Sequence, residues 1–495
     1  MVSGMGFSAA DYVVLGVYLA GITLFGARFR KSQRTVRDYF LGARDLPWPI
    51  VSLSIVAAET STLTLVGVPA IAFATYARPE QGGDLTYLQV VVGYIVARVI
   101  IAWLFVPAFF EGRLLTAYQL IDRRFGTAAK HVTASLFLVM RPLAEGVRVF
   151  AASVVLAAVI GASLPALPHL WFWSILVVGV LTLVYTFEGG IVAVIWTDVV
   201  QLAIYLAGTL VAVVELIHGI PGGWATMIRE ASAAGKLQIV SFSTDLTVPF
   251  TVWAGLIGGT CLTMASHGTD QLLVQRLLTC RDVPQSRKAI VTSGFIVFGQ
   301  FVLFLCVGLL LFAYYRFVPR PPMATTDEVF PTFIVRNLPH GISGLVIAAI
   351  FAAAMSNLSA SINSLASTTV IDFYMPLKGH RLDEAGALRL SRRLTLVWGV
   401  VLIAIAMLAR GWGSVFTTGL TIASIVYGPM LGIFLLALLS KKATSTGAMA
   451  GVAVSLAGMI AIRVWTPLAW TWYVVVGAMI CVSVGWAVSR ARSAN

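Results

Sequence analysis

The sequence predicts an all-α membrane protein of about thirteen transmembrane helices, and three observations carry that prediction. The chain has 495 residues, 59% of them hydrophobic and only 11% charged, with a mean hydropathy of +0.90. Water-soluble domains of this size do not have such a composition. Apolar runs of about 20 residues recur from end to end, the length of a helix crossing a hydrocarbon core roughly 30 Å thick and too long for barrel strands. Thirdly, the basic residues are sorted by side. With the amino terminus outside, 23 Lys and Arg fall in cytoplasmic segments against 8 outside, so the carboxyl terminus is cytoplasmic. The net charge of +13 is explained by this sorting, and a nucleic-acid partner is not implied.

The first run, 11–29, follows the opening "MVSGMGFSAAD", which has no basic residue, and no small-residue cleavage site comes after it. It reads as a retained helix, not a removed signal peptide. The second, 48–75, contains "VSLSIVAAETSTLTLVGVPAIAFAT", with a polar knot at its middle followed by Gly67 and Pro69. Runs at 86–110, 131–161, 167–187 and 191–217 complete a first group of five. The seventh, 249–275, includes "AGLIGGTCLTMASHGTDQ", where Gly255, Gly258, Gly259 and Gly268 surround polar residues. It opens a second group with 289–317, 341–371, 390–409 and 414–440. Runs at 445–464 and 468–489 close the chain. Cys261, Cys280, Cys306 and Cys481 have no metal-ligand spacing and read as packing residues.

Five crossings per group means that the second group enters the membrane in the opposite sense to the first. Interrupted helices at corresponding positions of two inverted halves point to a transporter with a binding site at the midplane. One transport domain, 1–495, is therefore expected. Residues 48–217 and 249–440 form its repeats, and 11–29 and 445–489 are peripheral helices.

The ninth run holds "AAIFAAAMSNLSASINSLAST", rich in Ser and Asn at membrane depth. Small polar residues glue membrane helices together. Hydroxyls facing the freed carbonyls of an interrupted helix can also hold a hard cation such as Na+, and the cluster favours that ion site.

Several segments, in order, resemble hallmarks of the sodium/solute symporter family: "DYFLGARDLPW" (38–48), "AAETSTLTLVGVPA" (57–70), "EGGIVAVIWTDVVQ" (188–201), "TDQLLVQRLL" (269–278) and "GLVIAAIFAAAMSNLSASINS" (344–364). The resemblance implies a LeuT-type five-plus-five inverted-repeat core and sodium-driven uptake of a small polar solute. Carried over, it implies a sodium site made of the carbonyls of Ala57, Thr60 and Ala353 with the side chains of Ser356 and Asn357. The family usually has Ser or Thr at the last position. Asp198 matches a carboxylate serving a second ion or a relay, and Ser359 a ligand of that ion, but Ala360 replaces a further hydroxyl. An acidic residue inside a span is itself a functional candidate, the other reading being a capped helix end.

The substrate candidates are Glu59, Ser61, Thr62, Thr64, Gln89, Arg148 and His267. "MRPLAEGVRVF" sets Arg141, Glu145 and Arg148 on one helical face, either as a self-neutralising ladder or with Arg148 offering its guanidinium fork to a carboxylate. The resemblance to sialic-acid members supports the second use through Arg148-Val149 and the hydroxyls Ser61, Thr62 and Thr64. Those members have Thr where Glu59 stands; proline-transporting members have an acid there, so Glu59 could serve sodium, a proton or an amine. His267 occupies the inner-gate position of sugar-transporting members, and a packed neutral imidazole is the alternative. Asp270 reads as a helix cap, and Gln89 as a bond to substrate or within the bundle.

The expectation is thus a symporter of the cytoplasmic (inner) membrane. It binds sodium and a carboxylate-bearing solute, a sugar acid or amino acid, without nucleic acid or an obligatory protein partner. Neutral-sugar or polyol transport, proton coupling and a symporter-like sensor are the rivals. No catalytic motif points to an enzyme.

Overall fold

A computed structural model describes residues 8–29, 35–75, 83–111, 114–161, 169–323, 326–377, 384–411 and 415–493. Helix α1 (Ala9–Ala27) begins at a capping box between Ser8 and Asp11 and is followed by the short α2 (Val36–Leu41). The interrupted span is α3 (Trp48–Glu59) and α4 (Thr62–Phe73), bent by 65° at the break. Thr60 and Ser61 lie between the halves in extended conformation, at φ −82, ψ 100 and φ −92, ψ 168. Hydroxyl side chains that compete for backbone groups favour such a break. The Ser61 N–H donates to Thr64 Oγ1 at 3.4 Å and starts α4.

Helix α5 (Leu88–Ile100) runs through a π turn to Phe110. After α6 (Tyr118–Phe125) come α7 (Thr127–Gly161) and the 50-residue α8 (Leu170–Gly219). The expected spans 167–187 and 191–217 are the two arms of α8. They meet at Gly190, whose φ of 54 with ψ −152 is open to glycine and costly for any residue with a Cβ. Helix α9 (Gly223–Ala233) lies in the long loop after it.

The seventh span begins with a π turn at Ala254–Gly259 and continues as α10 (Thr260–Gly268). It breaks at Thr269 and restarts as α11 (Gln271–Leu278), capped by Asp270 Oδ1 accepting from the Leu272 N–H at 2.9 Å. The expected capping role of Asp270 is therefore present. Then follow α12 (Val283–Phe317), α13 (Val329–Asn337), α14 (Ile342–Thr368), α15 (Glu384–Leu408), α16 (Val415–Leu439), α17 (Ser445–Trp465) and α18 (Tyr473–Ser493).

Among the described residues, nine helices are long and apolar enough to cross a membrane, ten with α3 and α4 taken as one span. The expected segments 131–161 and 249–275 are helical as well but do not meet that measure. Burial ranks the helices. The apolar window of α14 with its continuation to Leu377 is 94% buried, against 22% for α1 and 33% for α17. Large apolar side chains such as Val17, Leu24, Trp103, Val139 and Trp465 stand on the outside, as a lipid-facing surface requires.

The carboxyl-terminal end of α4 is tied down from the long loop. Lys236, 3% exposed, donates from Nζ to the carbonyls of Ala72 at 3.1 Å, Phe73 at 3.2 Å, Gly83 at 2.8 Å and Ala74 at 2.5 Å. An ammonium at the end of a helix satisfies carbonyls that have no intrahelical donor.

Candidate functional site

The break between α3 and α4 frees backbone oxygens beside the polar face of α14. Ser61 spends its N–H on Thr64, so the Ala57 carbonyl is without the donor that a continuous helix would supply. Thr60 and Ala353 point their carbonyls at one side chain: Asn357 Nδ2 donates to Thr60 O at 2.8 Å and to Ala353 O at 3.2 Å. Ser356 donates from Oγ to Asp198 Oδ1 at 2.7 Å, and a hydroxyl oxygen so engaged still has lone pairs for a cation. The structure therefore brings together Thr60, Ala353, Ser356 and Asn357, with Ala57 one turn earlier on α3. The three carbonyls and the Ser356 hydroxyl are neutral oxygens of the kind that suit a hard monovalent cation, while Asn357 turns its amide nitrogen to Thr60 and Ala353.

Asp198, in the middle of α8 and fully buried, is fully engaged. Its Oδ2 accepts from Ser54 Oγ at 2.6 Å and from Arg276 Nη2 at 2.8 Å. Arg276 also donates from Nε to Ser54 at 2.9 Å and from Nη1 to the Leu272 carbonyl at 2.8 Å. One buried network thus joins α3, α8, α11 and α14 beneath the break. Ser359 donates to the Ser356 carbonyl of its own helix at 2.9 Å. Ser364 and Ser367 likewise bond back to Ser361 and Ser364, so part of the polar stripe on α14 satisfies itself. Arg276 is not among the site residues that the sequence predicts. The signal was a cation within the apolar "QLLVQRLL", which needs a buried partner.

A cavity of about 150 Å³ opens on the other side of the break, lined by Ala58, Glu59, Ser61, Thr64, Arg148 and His267 among others. Thr62 and Gln89 are not in its wall. Thr62 Oγ1 reaches the Ile350 carbonyl at 3.4 Å. Gln89 spends its amide on the carbonyls of Thr86 and Phe250 and on the Ser241 N–H, which is the bond-within-the-bundle reading. Tyr87, Tyr94, Phe301 and Tyr427 supply the aromatic part of the wall.

Two charged groups meet in this cavity. On one side Glu59 pairs with Arg98, and the same Arg98 Nη2 lies 3.1 Å from His267 Nε2. His267 Nε2 also lies 3.4 Å from Glu59 Oε2, and His267 Nδ1 is 2.9 Å from Ser266 Oγ, so the imidazole joins the Glu59–Arg98 pair through one nitrogen and Ser266 through the other. On the other side Arg141 is held by Glu145 at 3.2 Å, Asp270 at 3.4 Å and Ser361 at 3.2 Å, while Tyr427 donates to Asp270 at 2.7 Å. Arg148 is held less tightly. It lies 3.6 Å from Glu145 and its side chain is 22% exposed, against 5% for Arg141. Of the two guanidiniums on α7, Arg148 is the one free to take a ligand.

A family profile for the sodium:solute symporter family matches residues 39–455. The chain belongs to that family. It is accordingly a membrane transporter and not an enzyme. It is 28% identical to a sodium/sialic acid symporter of Aliivibrio fischeri, over 97% of this chain and 93% of that one. It is 29% identical to the human sodium-coupled monocarboxylate transporter 1, over 93% of this chain and 75% of that one. Among solved structures, a substrate-bound, outward-open sodium-coupled sialic acid symporter superposes with a TM-score of 0.87 at 26% identity, covering 98% of both chains. MhsT in complex with L-phenylalanine superposes with a TM-score of 0.52 at 15% identity, over 89% of this chain and 98% of that one. The all-helical LeuT-type architecture expected for this symporter-family chain is thus present.

Proposed function

We propose that this chain is a secondary active symporter that couples the inward sodium gradient to uptake of a carboxylate-bearing solute. One sodium ion is held by the carbonyls of Ala57, Thr60 and Ala353 and the side-chain oxygens of Ser356 and Asn357. The convergence of Thr60, Ala353, Ser356 and Asn357 at the helix break carries the reading. Asp198 is a structural member of the gate beneath that site and not the ligand of a second ion, because Arg276 already neutralises it. Arg148 receives the substrate carboxylate, since a guanidinium with one long ionic contact gains most from a bidentate partner. The relatives named for sialic acid and monocarboxylates support an acidic solute.

Residues 48–217 and 249–440 are the two inverted repeats, with thirteen crossings in all. The protein lies in the cytoplasmic membrane, amino terminus outside. Sodium and solute bind on either face of the same break and each favours the state the other needs, so their coupling is reciprocal.

Uptake into proteoliposomes tests the reading. Labelled sialic acid, lactate, proline and glucose are offered with an inward sodium gradient or with choline. Accumulation of an acidic solute in sodium alone is expected. Accumulation of glucose alone, or of any solute equally in choline, contradicts it.

A further inference from the structure

Asn357 stands where the family usually has a hydroxyl, and its amide does something that a hydroxyl cannot. The residue is 1% exposed. Its Nδ2 donates to both Thr60 O and Ala353 O, whereas its Oδ1 is buried without a hydrogen-bond partner. Chemistry fixes that orientation: with the amide reversed, Oδ1 would face two carbonyl oxygens with no hydrogen between them. The two carbonyls bridged by the NH2 group are two of those assigned to sodium. An NH2 carries two hydrogens at the positive end of the amide dipole, so it meets both oxygens at once as a cation would. A Ser or Thr hydroxyl, with one hydrogen, could satisfy only one of them. A neighbouring amide repeats the pattern. Gln300 donates from Nε2 to Thr60 Oγ1 at 2.7 Å, and its Oε1 is also buried and unpartnered.

We infer that the Asn357 carboxamide is the ion-site switch of this chain: without sodium its NH2 ties the broken helix to α14 in the ion's place, and sodium binds only after the amide turns to present Oδ1. The inference rests on the sodium site proposed above and adds two properties to it. Sodium must displace two hydrogen bonds that a hydroxyl site never makes, which weakens its binding on the order of tenfold. The sodium-free chain also keeps the break closed against α14. The cavity wall formed by Ala58, Glu59 and Ser61 therefore persists without the ion, and solute can bind, more weakly, in its absence.

The test is thermal unfolding of the purified full chain in sodium chloride and in choline chloride at constant ionic strength. It compares the wild type with Asn357→Ser and Asn357→Asp. The wild type is expected to lose little stability in choline and to respond to sodium with a high midpoint concentration. Asn357→Ser is expected to melt lower in choline, to recover in sodium, and to have a midpoint on the order of tenfold lower. Asn357→Asp cannot donate to either carbonyl when ionised, so it should be the least stable in choline and show the largest sodium shift. Equal sodium shifts and midpoints in all three proteins overturn the switch but leave the sodium site standing. The same holds if the variants lose equal stability in both salts with an unchanged midpoint. No sodium shift in any of the three removes the sodium site itself, and the switch with it.

Discussion

At the scale of single residues, the buried Arg276–Asp198 pair shows how charge is handled in this fold. Both side chains are fully buried and 2.8 Å apart, so removing either leaves the other as an uncompensated charge. Asp198→Asn and Arg276→Met are each expected to cost about 3–5 kcal/mol. The double variant should regain part of that loss, measured as a double-mutant cycle in thermal unfolding; strict additivity would show that the pair is not coupled. Arg148 obeys a different logic, because its charge faces a cavity. Arg148→Ala is expected to raise KM for acidic solutes by about 10- to 100-fold, as loss of a charged hydrogen-bond pair does, and to leave folding intact. An unchanged KM would move the carboxylate site elsewhere. The sequence displayed Arg148, Glu59 and His267 as candidates because charges at membrane depth are rare. It did not display Arg98 as the partner shared by Glu59 and His267, since those three residues lie far apart in the chain. Nor did it separate Gln89 and Thr62, whose side chains turn to nearby backbone carbonyls, from residues that reach the cavity.

At the scale of elements, the break between α3 and α4 was legible. "AAETSTLT" gathers hydroxyls where a continuous apolar helix would have none, and the structure bends there by 65°. The kink of α8 was legible only as a gap between two runs; Gly190 turns it into a bend within one helix. The polar face of α14 was legible as a stripe. Which hydroxyls face inward and which bond back to their own helix depends on χ1, which periodicity does not report. Lys236 was legible only as a loop charge, although it ties the carboxyl-terminal end of α4 to the loop after α9. Lys236→Met keeps the bulk and removes the donors to four carbonyls. A loss of about 1–3 kcal/mol is expected in thermal unfolding, and no change would show that water replaces the ammonium. Gly308 on α12 packs against the Pro69 carbonyl of α4, so that a Cβ there would collide with it. Gly308→Ala should therefore hold α4 away from α12 and lower transport more than expression.

At the scale of the whole molecule, the composition and the side-sorting of basic residues specify a polytopic α-helical protein, because hydrocarbon admits little else. The number of crossings is less directly read: the sequence predicts thirteen, whereas nine helices among the described residues, ten with α3 and α4 taken together, are long and apolar enough to cross, since broken and kinked spans do not present single apolar windows. The arrangement of the helices has one physical consequence. The most buried helix, α14, carries the hydroxyls and amides, and the least buried, α1, faces outward, so the proposed ion site at the break of α3 and α4 lies against the most enclosed helix of the bundle. Because Arg276 neutralises Asp198 and Ala360 offers no further hydroxyl beside Ser359, a single ion is expected per chain. Equilibrium binding of radioactive sodium to the purified protein measures this most directly. The account predicts one saturable ion per chain, lost in Ser356→Ala and retained in Ser359→Ala. Two ions per chain, or binding that survives Ser356→Ala unchanged, would contradict it.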